Sequence, residues 1–281
     1  MTLPRRAQTP PSGLARLTSP SRKRPKRPVA PLRAPRSQLQ FSWAATISKP
    51  EWNIYLSAIQ ALRNDGIRFL LGGGFALATY TGCWRDTKDI DFYVMPHDRS
   101  AAVKSLTRAG FDDYYSRVPY DRKWIHRNVR SKMIVDVIWA MANQRARVDS
   151  AWFQRAGSVS IRGELLDVLP LEEMLWCKLY IMQRDHCDWT DIFNLLHARG
   201  QELDWSHLLR RLGPDRPLLN ALLTIYGWLC PGQARELHIF KRLGLPSPDR
   251  ASPRAVRDRV RLLDSRAWFA AHQPRDQKLE V

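Results

Sequence analysis

The sequence predicts an α+β protein, in which a small mixed sheet flanked by helices is followed by a C-terminal helical domain. Three observations carry this expectation. Short apolar runs at 67–71, 90–94 and 133–139 have the length and β-branched content of buried strands. From Pro170 onward the apolar spacing changes to that of helices. Gly, Pro or Asp punctuates most of the joins between these segments.

Residues 1–45 are rich in Pro, Arg and Ser without periodicity and read as a disordered basic tail. Residues 1–50 hold eleven Lys or Arg and no Asp or Glu, so only +7 of the net +18 belongs to residues 51–281. The run Arg22-Lys23-Arg24-Pro25-Lys26-Arg27 reads as solvated charge, with nucleic-acid contact or a targeting patch as the alternatives. Order is expected from Pro50, a good first residue for a helix through 62 that Gly66 breaks. A strand at 67–71, a helix at 75–80 and a strand at 90–94 follow. The helix at 101–108 stops at Gly110. Strands are expected at 111–118, 124–129 and 133–139, with a hairpin around Gly163 within 159–168. A sheet domain therefore spans 50–168. The helical domain, 170–281, is expected to hold helices at 171–183, 188–198, 204–212, 217–229 and 254–271. The last is amphipathic, setting Val256, Val260 and Leu263 against Arg257, Arg259 and Arg261, and is expected to pack on the body.

Cysteines 83, 177, 187 and 230 lack the spacing of a zinc site or disulfide frame, and His126, His186 and His197 lack ligand-like spacing. No apolar run approaches the roughly 18 residues needed to cross a bilayer. The basic N-terminus lacks the apolar stretch of a secretory signal, and nine prolines in the first fifty residues oppose a transit-peptide helix. A soluble cytoplasmic protein with reduced thiols and no membrane partner is expected.

Chemistry concentrates between 69 and 94. Gly72-Gly73-Gly74 lies between a strand and a helix, where backbone N–H groups and the helix dipole favour an anion. No Gly-Lys-Ser/Thr follows, which excludes a Walker A loop, and a Rossmann fingerprint would need glycine where Leu77 stands. Asp89 and Asp91, two residues apart on a strand, point to one face about 6.6 Å apart. Such a pair repels unless a cation, a basic group or water screens it. Asp136 interrupts the otherwise apolar run 133–139. On a neighbouring strand, roughly 4.8 Å away, it would bring three carboxylates together. That set suits Mg²⁺, which takes one or two carboxylates plus substrate phosphates, and two such ions assist phosphoryl transfer. Pairing of Asp136 with a nearby arginine is the structural alternative.

Gly73-Gly74, then Asp89-Ile90-Asp91, then Asp136 in an apolar strand resembles the nucleotidyltransferase superfamily of the polymerase-beta type. The strings Gly73-Gly74-Phe75-Ala76-Leu77 and Arg85-Asp86-Thr87-Lys88-Asp89-Ile90-Asp91 are most similar to the AbiEii-type toxin and aminoglycoside nucleotidyltransferase branches. The resemblance is specific over 67–140 and looser through 198. It implies the nucleotidyltransferase fold, one or two Mg²⁺ ions, a nucleoside triphosphate such as ATP, and transfer of a nucleoside monophosphate to an acceptor. By the same resemblance Gly73 and Gly74 hold the triphosphate, Asp89 and Asp91 bind metal, and Asp136 completes the site and assists deprotonation. Gly74 stands where many relatives carry serine, which leaves backbone donors for the phosphate.

Lys178 falls on the core-facing stripe Leu171, Met174, Leu175, Lys178, Met182, so it either snorkels or neutralises phosphate in the cleft. AbiEii-type relatives carry a lysine on the corresponding helix, which favours phosphate. Asp188 and Asp191 open the next helix and read either as first-turn caps or as the family's acidic motif. Arg85 and Lys88 flank the acidic strand as phosphate or acceptor contacts, or as solvated loop charges. The acceptor is an RNA end, a protein side chain or a small molecule, with the basic tail and C-terminal arginines leaning toward RNA. The alternative is a catalytically silent nucleotide- or RNA-binding module, or the toxin of a toxin–antitoxin pair with an antitoxin partner.

Overall fold

The computed structural model describes residues 41–183 and 186–263. The basic run 22–27, most of the expected tail and the end of the helix expected at 254–271 lie outside the described residues. Order begins ahead of Pro50. Ser42–Thr46 forms a 3-10 turn that buries Trp43 and Ala44. Helix α1 (Lys49–Asn64) follows, opened by a capping box: the Ser48 hydroxyl accepts from Glu51 N–H, and the Glu51 carboxylate accepts from Ser48 N–H. Pro50 is thus the second helical residue, not the first.

The chain then gives β1 (Phe69–Leu71), α2 (Gly73–Thr81), β2 (Asp89–Val94), α3 (Arg99–Arg108), β3 (Asp112–Asp113), β4 (Ile125–Arg130) and β5 (Met133–Ile138). The strand expected at 111–118 shrinks to two residues. Asp113 accepts from Tyr115 N–H and turns the backbone into a 3-10 helix at Tyr114–Ser116. Helix α4 (Ser150–Arg155), β6 (Gly157–Ile161) and β7 (Glu164–Val168) complete this half. The hairpin turns at Gly163 as expected, while α4, only six residues long, leaves too short a pattern to read.

The seven strands form one mixed sheet in the order β3-β4-β5-β2-β1-β7-β6. β2 runs parallel to β5, and β1 parallel to β7; the other pairs are antiparallel. Alternation along the central strands divides their side chains. Ile90, Phe92, Val94, Val135 and Val137 are fully buried on the face against which α1 and α3 pack. The opposite set carries the acids.

Helices α5 (Leu171–Leu179), α6 (Trp189–Arg199), α7 (Trp205–Leu212), α8 (Arg216–Leu229), α9 (Pro231–Glu236), α10 (Ile239–Arg242) and α11 (Pro253–Leu263) follow. Helix α5 ends four residues short of its expected limit, and the short α9 and α10 were not legible as separate helices. One continuous apolar core runs from Trp43 through the sheet to Phe240, so the helices pack onto the same core as the strands. All nine residues of α5 are buried, including Glu172, Glu173 and Lys178. Glu173 meets His207 Nε2 at 2.5 Å and Arg211 Nε at 3.3 Å, and Arg211 reaches Asp149 at 2.5 and 2.9 Å. These contacts pin α5 to α7 and to the start of α4.

Trp43 stacks on Trp84 at 4.9 Å between centroids, and both meet the edge of Phe75. The turn before α1 therefore braces the loop that enters β2. Trp43→Ala is expected to cost about 3–4 kcal/mol in urea denaturation, the range for truncating a buried aromatic. A loss below about 1 kcal/mol would show that this segment is not part of the core.

Candidate active site

Strand register assembles the floor of the site. Asp91 lies opposite Asp136 across the parallel β2–β5 pair, and Arg127 lies opposite Asp136 across β4–β5. Because alternate residues share a face, Asp91, Asp136 and Arg127 form one row across three strands. Tyr93, Ile138 and Ile125 form the next row, and Asp89 begins the one on the other side. This face opens into a cleft of about 420 Å³, whose other walls come from the glycine turn, the loop before β2, and α5.

The glycine turn is locked to the acids. Gly72 N–H donates to the Asp91 carbonyl at 2.9 Å. Gly73 has φ +52°, and a Cβ there would lie 1.6 Å from Asp91 Oδ2. Only glycine meets both demands. At Gly74 a Cβ would sit 3.5 Å from the Thr87 methyl, an ordinary contact, so this position has room for a side chain. The first residues of α2, Gly73 and Gly74, border the same cleft as the carboxylates, and a helix N-terminus favours an anion.

The carboxylates are electrostatically strained. Burial, then the charges of Asp136 and Asp89, hold the Asp91 carboxyl well above its usual range, against a downward pull from Lys178 and Arg127. Burial also raises Asp136, to about 7, although Arg127 opposes the shift. Asp136 Oδ2 accepts from Arg127 Nη2 at 3.0 Å, while its buried Oδ1 has no hydrogen-bond partner. The arginine partner that the sequence left as an alternative is thus present on Oδ2, while Oδ1 is left unsatisfied. Asp89 accepts from the Thr87 hydroxyl.

Lys178 lines the cleft, with its ammonium 2.6 Å from Asp188 Oδ2 and 2.7 Å from Asp191 Oδ2. Burial disfavours this charge, but the two carboxylates outweigh it and hold the lysine above its ordinary range. Asp188 and Asp191 therefore serve as partners of Lys178, and neither N-caps α6 by a side-chain bond. His186 contacts Asp188 at 2.8 Å, and Arg85 lies 3.6 Å from Asp191. Gly73, Gly74, Asp89, Asp91, Asp136, Lys178 and Arg85 all border the cleft, whereas Lys88 is exposed and outside its lining. The Lys88 carbonyl accepts from Ile134 N–H, which helps to set the β2–β5 register. Arg127 was not singled out from sequence. Its signal, a charge between Ile125 and Val129 on the side of the strand that alternation makes apolar, acquires meaning only once the pairing with β5 is known.

Among the described residues, no group of three or more His, Cys, Asp or Glu side chains is assembled as a metal cage. The donor set nevertheless fits a hard cation that is completed by substrate oxygens. Asp91 and Asp136 are neighbours, both resist ionisation without a counter-charge, and Asp136 Oδ1 is orphaned.

A mixed sheet that carries two carboxylates in register beside a glycine turn defines the nucleotidyltransferase class. The pattern of the family described as uncharacterised nucleotidyltransferase matches residues 52–229, well over half of the chain, and the chain belongs to that family of nucleotidyl-transferring enzymes. No curated protein matches it. Among solved structures it is similar to the antibiotic-resistance factor ANT(2'')-Ia, at 14% identity and TM-score 0.45, covering 63% of this chain and 96% of that one. A lincosamide antibiotic adenylyltransferase, LnuA, gives 14% identity and TM-score 0.38 over 54% of this chain and 97% of its own. A putative nucleotidyltransferase from Helicobacter pylori gives 14% and 0.37 over 77% and 99%.

Two outcomes follow from the geometry. Gly73→Ala abolishes ligand binding or folding, whereas Gly74→Ala retains both, as thermal shift with and without nucleotide would report. The pH dependence has a definite sign. The unfolded chain ionises Asp136 near pH 4, while the folded protein resists up to about pH 7, so the charged carboxyl drains stability as pH rises through that window. Asp136→Asn is therefore expected to stabilise the ligand-free protein by about 2 kcal/mol more at pH 8 than at pH 5 in denaturant titrations. An equal effect at both pH values would remove the strain argument.

Proposed function

We propose that this nucleotidyltransferase is Mg²⁺-dependent and moves a nucleoside monophosphate from a nucleoside triphosphate, ATP or another, to an acceptor hydroxyl. The observation that carries this reading is the in-register pairing of Asp91 with Asp136 beside a turn that accepts only glycine at position 73. Gly73 and Gly74 offer backbone N–H groups to the triphosphate. Asp89, Asp91 and Asp136 would hold Mg²⁺, which when bound neutralises phosphate charge and lowers the barrier to displacement at phosphorus. The acceptor oxygen bonds to the α-phosphorus, the α–β bridging bond breaks, and pyrophosphate leaves. Asp136 assists removal of the hydroxyl proton.

An ammonium has three N–H donors, and Asp188 and Asp191 take two of those of Lys178. The third is available to a phosphate oxygen, which supports the phosphate role for this residue. Lys88, exposed and outside the cleft, is retained only as a rim charge. Among the described residues no helix is long and apolar enough to cross a membrane, and none of the four cysteines is in a disulfide, which supports a reducing, cytoplasmic setting. An RNA end is the favoured acceptor, and an antitoxin partner would belong to the toxin branch of the same reading.

The test is incubation with each α-labelled nucleoside triphosphate, Mg²⁺ and total RNA or cell extract. Label is expected on a macromolecule with the natural protein, to vanish with chelator, and to fall at least roughly 100-fold in Asp91→Asn. Equal labelling by both proteins would overturn the site.

A further inference from the structure

Arg127 is the one feature of the floor that the catalytic reading above does not use. It stands at the far end of the row from the glycine turn: the sheet order runs β4-β5-β2-β1, and α2 springs from the end of β1. Displacement at phosphorus is in line, so the leaving pyrophosphate and the attacking oxygen lie on opposite sides of the phosphorus. If the triphosphate rests on Gly73-Gly74, the acceptor approaches over β5 and β4, on the side of Arg127.

That side of the cleft has a simple chemistry. Trp124, Ile125, Ile138 and Met141 supply apolar surface there, and Arg127 supplies the charge. Apart from the three acids of the site, one further carboxylate lines the cleft among the described residues, Asp188, which is held by Lys178 and His186. On the Arg127 side a polycationic acceptor would face a guanidinium and, among the described residues, no uncommitted carboxylate. The Arg127 side chain is about one-third exposed, and its contact with Asp136 engages a single Nη2 of a group with five N–H donors. Its backbone is fixed independently by donation to the Tyr120 hydroxyl at 2.8 Å, so the guanidinium can change partner without moving the strand.

We infer that Arg127 selects the acceptor: it pairs with Asp136 in the ligand-free protein and transfers to a phosphate beside the accepting hydroxyl when a cation takes its place. The acceptor is therefore a phosphate-bearing molecule and not a polycation. This inference rests on the nucleotidyl-transfer reading, and its failure is separable from the failure of that reading.

The experiment compares the natural protein with Arg127→Gln and Arg127→Lys. Binding of Mn²⁺ to nucleotide-free protein, followed by electron paramagnetic resonance, should tighten roughly 3- to 10-fold in Arg127→Gln, because a competing positive charge is gone. Transfer from labelled nucleoside triphosphate is then measured to a short oligoribonucleotide, a nucleoside 5′-monophosphate and an aminoglycoside. The natural protein should use one or both phosphate-bearing acceptors, the two arms separating a polymer end from a small molecule, and should leave the aminoglycoside unmodified. Arg127→Gln should raise the acceptor KM about 10-fold or more with the triphosphate KM unchanged, and Arg127→Lys should recover part of the loss. Transfer to the aminoglycoside, transfer to neither phosphate-bearing acceptor, an unchanged acceptor KM, or weaker Mn²⁺ binding in Arg127→Gln would each overturn the inference. Label lost in Asp91→Asn with no effect of Arg127→Gln would overturn the role of Arg127 alone. Label retained in Asp91→Asn would overturn the transfer reading itself.

Discussion

Two carboxylates side by side on parallel strands of a buried sheet are an unfavourable arrangement, and much of the surrounding structure answers it. Like charges one strand apart repel, and the low dielectric of a packed core raises the cost of each. The fold compensates with a guanidinium on the next strand and an ammonium on the covering helix. Neither of these fully neutralises the pair, and the residual demand for positive charge is what a bound cation would answer on the proposed reading.

The compensation is distributed over distant parts of the chain. Arg127 comes from β4 and Lys178 from α5, and Lys178 is itself held by Asp188 and Asp191 at the start of α6. The family match covers all of these residues, but not the turn at Ser42–Thr46 whose Trp43 braces Trp84. The loop from Trp84 to Thr87 therefore has support from a segment beyond the shared core of the family.

Much of the site was legible in sequence because its geometry is local. The two-residue spacing of Asp89 and Asp91 fixes their common face by strand alternation alone, and Gly73 announces its turn by the absence of a side chain. Asp136 was legible as a charge in an apolar run, since a buried acid needs a reason. What stayed hidden depends on register. Nothing local in 125–130 says that Arg127 lies opposite Asp136, and nothing near Lys178 says that two aspartates ten and thirteen residues later will meet it. Lys88 is adjacent to Asp89 in sequence but lies outside the lining of the cleft, which alternation along the strand does not reveal for a residue ahead of it. The short helices α4, α9 and α10 escaped because four to six residues carry too little periodicity to separate from loop.

Helix α5 has no exposed face, and its polar residues are tied to α7, α6 and the end of α4. Amides in such an element exchange with solvent only when the whole core opens, whereas those of peripheral pieces such as α11 exchange through local fraying. The wall that carries Met174, Cys177 and Lys178 should then persist among the last protected segments of the molecule.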